Sequence, residues 1–146
     1  MSGTGLAFWM IQAPGWLLVV YLIVAQCVSA FNYRLGVRMG TQEPAEQITE
    51  VGVAFFWGFA VGDLLIYTPL LAVGLAGHWV GAGWGIVALA AALGITVYWP
   101  LVCLATVVRA RGAPVWMLPK ERDYWIVLPL IAGWGLVGLA ILSVSG

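Results

Sequence analysis

The chain reads as an all-α integral membrane protein: four transmembrane helices in a compact bundle, both termini on the non-cytoplasmic side. Three observations carry that reading. Of the 146 residues, 63% are hydrophobic and only 8% are charged, against about a quarter charged in an ordinary soluble domain. The mean hydropathy is +1.02. All six basic residues fall in two stretches, Arg34 with Arg38 and Arg109, Arg111, Lys120 and Arg122.

Four apolar runs, at about 7–30, 51–77, 84–108 and 124–144, define one four-helix transmembrane domain over residues 1–146. Each is long enough to cross a hydrocarbon core of about 30 Å at about 1.5 Å per residue. A backbone in lipid must satisfy its own hydrogen bonds, so the runs are helices. The first lacks a basic leading segment and is too long for a cleaved leader, so it reads as a span. The loops at 31–50 and 109–123 hold every base and so lie on one side. The positive-inside rule makes that side cytoplasmic. The expected location is a bacterial-type cytoplasmic membrane. Trp9, Trp16, Trp79 and Trp84 fit an outer aromatic belt, and Trp116 and Trp125 an inner one.

Each run holds one proline, Pro14, Pro69, Pro100 and Pro129, read as packing-related bends. Small residues recur at spacing four, as in Gly58 and Gly62 or Gly77, Gly81 and Gly85, and Gly133, Gly135 and Gly138 follow in the last run. Such faces allow close backbone approach, within the bundle, in a homo-oligomer or against another membrane subunit.

Composition excludes several functions of a single chain. One histidine, His78, and two cysteines, Cys27 and Cys103, leave no His-rich metal centre, bis-histidine haem or Cys cluster. No Gly-rich phosphate loop occurs. Zero net charge offers no basic face for nucleic acid. No metal or cofactor is expected, and the expected partners are membrane lipids and membrane protein chains.

Asp63 is the one formal charge well inside a span. Placing an ionised carboxylate there costs about 2.5–3.5 kcal/mol on insertion scales. It must be protonated, paired or facing a wet cavity. Tyr67, four residues on, shares its helix face and is the expected hydrogen-bond donor. Phe56, Phe59 and Ala60 lie along the same stripe, and Thr68 and Thr96 are further polar candidates. Trp57, Trp99 and Trp134 fall at similar depths. If they converge, they form an aromatic cage for an organic cation or carbocation; otherwise they fill the bundle.

The segment TQEPAEQITE is read as a cytoplasmic extension of the second helix, with Pro44 in its first turn. Glu43, Glu46 and Glu50 then share one face near the positive end of the helix dipole, with Arg34 and Arg38 as partners. Arg109, Arg111, Lys120 and Arg122 are expected to set topology and contact lipid head groups. Trp116 and Met117, between Pro114 and Pro119, suggest a loop dipping into the interface. His78 reads as a hydrogen-bonding residue of the outer turn.

Two functions follow from different classes. The first is a non-enzymatic membrane protein, either a subunit or scaffold of a complex or a small transporter or channel that uses Asp63. The alternative is a metal-independent enzyme acting on a lipid or isoprenoid, with Asp63 as general acid, Tyr67 beside it and the three tryptophans as its cage. The sequence leaves open whether the chain is an enzyme.

Overall fold

The computed structural model describes residues 5–145, and every regular element among them is helical. In chain order these are α1 (Leu6–Phe31), α2 (Tyr33–Met39), α3 (Ala45–Gly62), a π-turn (Asp63–Tyr67), α4 (Thr68–Trp79), α5 (Gly83–Ala110) and α6 (Glu121–Ser145). Four stretches are long and apolar enough to cross a membrane: α1, α3 through α4, α5, and α6. Many of their large apolar side chains face outward, among them Leu17, Leu65, Val87 and Leu130, each more than half exposed. A water-soluble bundle would turn polar residues outward; this one presents a surface suited to lipid.

Helix α4 packs on α5, α5 on α6, and α1 on both α3 and α4. Ile11, Leu18 and Leu22 of α1 meet Leu71 and Leu75 of α4, Leu89 and Leu93 of α5, and Leu142 of α6 in one buried core. Glycine sets the α4–α5 contact. A Cβ at Gly74 would lie 2.6 Å from the Leu89 nitrogen, and one at Gly77 would lie 2.6 Å from the Gly85 Cα. Gly81 belongs to the turn between them, at φ 71°. Gly135 and Gly138 admit Val97 and Leu93 of α5 against α6, whereas Gly58, Gly62 and Gly133 have nothing within 4 Å of a would-be Cβ. The small residues therefore divide into a used set and an uncovered set.

The 31–50 region is more broken than a single extended helix. Asn32 ends α1 with an extended φ of −150° and caps α2, its Oδ1 accepting from the Leu35 amide at 3.1 Å. Gly40, at φ 77°, closes α2. Helix α3 starts after Pro44 but kinks at Thr49, whose φ of 65° and ψ of 166° fall in a region normally reserved for glycine. The Thr49 hydroxyl accepts a long, 3.4 Å bond from the Gly52 amide and so restarts the helix. This break separates Glu50 from Glu46, and Glu43 lies before the helix, so the three do not share one helical face. Nor do Arg34 and Arg38 pair with them: the one ion pair among the described residues joins Arg111 to Glu121.

The two charged loops meet. Lys120 Nζ donates to the Gly40 carbonyl at 2.9 Å, and the Met117 amide donates to the Gln47 carbonyl at 2.6 Å. The Trp116 ring packs against Gly52 rather than standing free as an interfacial anchor. One end of the bundle thus collects the charged loops; the other carries the uncharged turn around Gly81.

Candidate functional site

A cavity of about 290 Å³ lies between α1, α3, α5 and α6 and reaches the charged loops. Tyr21, Leu22 and Gln26 line it from α1, Phe56 and Phe59 from α3, Trp99 and Cys103 from α5, and Tyr124, Val127 and Leu128 from α6. Asp63 lies along its wall, and residues 40–43 with Lys120 and Asp123 line its charged end. Phe56, Phe59 and Asp63 follow helical spacing and are the part of the expected stripe that lines the cavity; Ala60 and Tyr67 are buried away from it.

Asp63 is only 6% exposed. Its Oδ2 accepts a 2.7 Å hydrogen bond from Gln26 Nε2, its one side-chain partner among the described residues. Asp63 opens the π-turn, in which the Thr68 amide reaches back five residues to the Asp63 carbonyl. Pro69 follows directly and has no amide to offer, so the regular ladder could not continue through this point.

Tyr67 does not serve Asp63. Its hydroxyl bonds Thr96 Oγ1 at 2.7 Å, and Thr96 spends its own proton on the Ala92 carbonyl at 2.8 Å, so Tyr67 is the donor to Thr96. The physical reason is reach: a phenol extends well beyond a carboxylate on the same helix face and meets the neighbouring helix instead. Gln26 was invisible to the helix-face argument because it comes from a different helix. The available signal was weak: Gln26 is one of two amides, with Gln12, in a largely apolar run.

Nor do the three tryptophans converge. Pro14 leaves the Met10 carbonyl without its helical amide, and Trp134 Nε1 donates to that oxygen at 2.9 Å. Trp57 Nε1 donates to the Ala30 carbonyl, in the last turn of α1, at 3.2 Å. These anchors are twenty residues apart on α1, about 30 Å along its axis. Only Trp99 lines the cavity. Trp57 and Trp134 satisfy backbone carbonyls that α1 cannot satisfy itself.

Glu43 is the other buried carboxylate, 1% exposed, and neither oxygen has a hydrogen-bond partner. Its segment is held by Tyr33, whose hydroxyl donates to the Glu43 carbonyl at 2.8 Å, and by Gln42, whose amide donates to Ser29 Oγ at 2.5 Å. Burial pushes the Glu43 carboxyl above its usual range; Lys120 pulls it back and Asp123 adds to the rise. Burial, then Glu43 and Glu46, push the Tyr33 phenol up to about 12.

Beyond Asp63 and Trp99, an open apolar groove of about 580 Å³ runs along Ala54, Gly58 and Gly62, bounded by Phe55, Ile66 and Tyr98. Asp63 and Trp99 therefore border both spaces. Of the four bases assigned to lipid head groups, Arg109 and Arg122 are exposed, Arg111 pairs with Glu121 and lies over the Trp125 ring, and Lys120 is half-buried at the cavity. His78 belongs to a hydrogen-bonded cluster at the uncharged end: Gln12 Nε2 donates to its Nδ1 at 3.0 Å, and Phe8 stacks on its ring. Cys27 and Cys103 are free thiols. Among the described residues, no three His, Cys, Asp or Glu side chains gather as a metal site would require. No protein family, curated protein or solved structure matches this chain.

Proposed function

We infer that this polytopic membrane protein is a small transporter that binds a cationic ligand at Asp63. One observation carries the reading: a carboxylate 6% exposed, with a single amide for a partner, faces a cavity that reaches the charged end of the bundle. Intramembrane carboxylates in such settings serve ion and proton pathways. Aromatic walls from Phe56, Phe59 and Trp99 suit an organic cation, which they attract through their ring faces. The charged loops face the cytoplasm by the positive-inside rule, both termini face the other side, and exposed Arg109 and Arg122 meet anionic head groups.

The test is flux into liposomes containing the purified protein, under an imposed pH gradient, with tetramethylammonium, a permanently charged cation, as the probe. Wild type accumulates the cation; Asp63→Asn abolishes accumulation. The substituted side chain keeps an oxygen for Gln26, so circular dichroism and elution volume remain those of wild type. Equal flux in the variant would remove Asp63 from the mechanism.

A second reading, as a subunit of a homo-oligomer or larger complex, is favoured by the uncovered Gly58 and Gly62. Native mass spectrometry of gently extracted protein tests it, through a fixed ratio with other polypeptides or a defined multimer. The lipid or isoprenoid enzyme reading loses support, because Trp57 and Trp134 are held about 30 Å apart along α1 and form no cage around Asp63.

A further inference from the structure

The cavity and the open apolar groove share three lining residues, Phe59, Asp63 and Trp99. One carboxylate between two aromatic side chains thus stands where a space that reaches the charged loops meets a space on the outer face of the bundle. Asp63 is 6% exposed, yet its Oδ1 has no hydrogen bond among the described residues and stays accessible. A buried carboxylate with an open oxygen calls for a donor or a cation.

The groove supplies neither charge nor cover. Its other walls are glycine, alanine, isoleucine and aromatic residues. Ile66 and Tyr98, both more than half exposed, form its rim, so it faces lipid. Gly58 and Gly62 lie in it, and a Cβ on either would meet nothing within 4 Å. From Ala54 to Asp63 the span advances nine residues, about 13.5 Å. The groove is therefore an apolar trough of about 580 Å³ with a carboxylate on its wall.

The charge decides between occupants. A phospholipid chain suits the trough, but its phosphate is anionic and offers Asp63 nothing. A second copy of the chain could cover Gly58 and Gly62, but all six of its bases lie in the loops, so it brings no intramembrane cation. An occupant matched throughout has a positive head and an apolar tail. The single carboxylate at the junction fits one charge, and the flanking rings fit a quaternary ammonium. We propose that the groove is the tail subsite of the Asp63 site and that the ligand is an amphipathic monocation, its head against Asp63 between Phe59 and Trp99 and its tail in the lipid-facing groove. This rests on the reading of Asp63 as a cation site and adds the ligand class.

The experiment is photolabelling of the protein in lipid nanodiscs, at neutral pH, with two decyl probes that carry a diazirine at the chain end. One has a trimethylammonium head and the other a sulfonate head, and peptide mass spectrometry locates the label. In wild type the cationic probe labels residues 54–66 or Tyr98 at least about tenfold more than the sulfonate does, a small part of the Coulomb attraction of one ion pair in a protein interior. Excess tetramethylammonium suppresses that labelling, and Asp63→Asn lowers it to the sulfonate level. The comparison of the two probes on wild type does not depend on the folding of any variant. Equal labelling by both probes shows that the groove takes any lipid chain and overturns the proposal. Labelling of the groove by neither, as when a second copy or a partner helix covers it, overturns it too. If Asp63-dependent flux of tetramethylammonium accompanies either result, the tail subsite falls while Asp63 stands as a cation site. Cation labelling that persists undiminished in Asp63→Asn removes the head from Asp63 and overturns both readings.

Discussion

Pro14 removes one amide from α1, and the consequence appears 120 residues later in the chain. The Met10 carbonyl it orphans is taken up by Trp134 of α6. Trp134→Phe keeps the aromatic ring but leaves that carbonyl unpaired on the apolar outer face of the bundle, at about 1–3 kcal/mol where lipid replaces water. Adding Pro14→Ala restores an amide within α1 and should recover most of the loss. Unfolding equilibria of the two single variants and the double variant, in mixed micelles, measure the coupling; additive losses would refute the pairing. Residue-level reading of the sequence reached Asp63 because a lone charge in an apolar run is conspicuous. It missed Gln26 and the roles of Trp57 and Trp134, because a partner on another helix depends on helix order and rotation. Hydropathy records neither. Glu43 was legible as an acid of the first charged loop, but its burial depends on how that loop folds back against Tyr33 and Ser29.

Among the elements, the four apolar stretches were legible from length and hydropathy alone, since lipid imposes both. The break at Thr49 was not. Threonine does not favour a φ of 65°, and nothing in TQEPAEQITE announces a glycine-like conformation there. The value of each small residue also depended on contact. Gly85 lies against the Gly77 backbone, whereas Gly58 lies against nothing. Gly85→Ile should therefore force α4 from α5 and destabilise the chain by about 1–3 kcal/mol or more. Gly58→Ile should change the stability of the isolated chain by no more than about 0.5 kcal/mol. The same unfolding assay checks both. A large loss at Gly58 in the native assembly, with none in the isolated chain, would show that another helix covers it.

For the molecule as a whole, the joining of the two charged loops makes orientation a single two-way choice. Alkaline phosphatase fused at either terminus should be active and green fluorescent protein dark, with the pattern reversed for fusions within residues 109–123. Activity in that loop would invert the bundle and place the Glu43 end of the cavity outside. The π-turn has its own consequence at this scale. It inserts one residue into an otherwise continuous span, and one residue is worth about 100° of rotation. The stretch before it points Asp63 towards Gln26 of α1, while the stretch after it turns Gly74 and Gly77 onto α5. A regular helix through the same residues would have to aim both with a single azimuth. The turn acts as a phase shifter, fixing the angle between the half of the span that carries charge and the half that locks the scaffold. Forcing all five of its residues into a regular helix would throw the two halves out of phase, whereas deleting one residue within it would let a regular helix keep both azimuths.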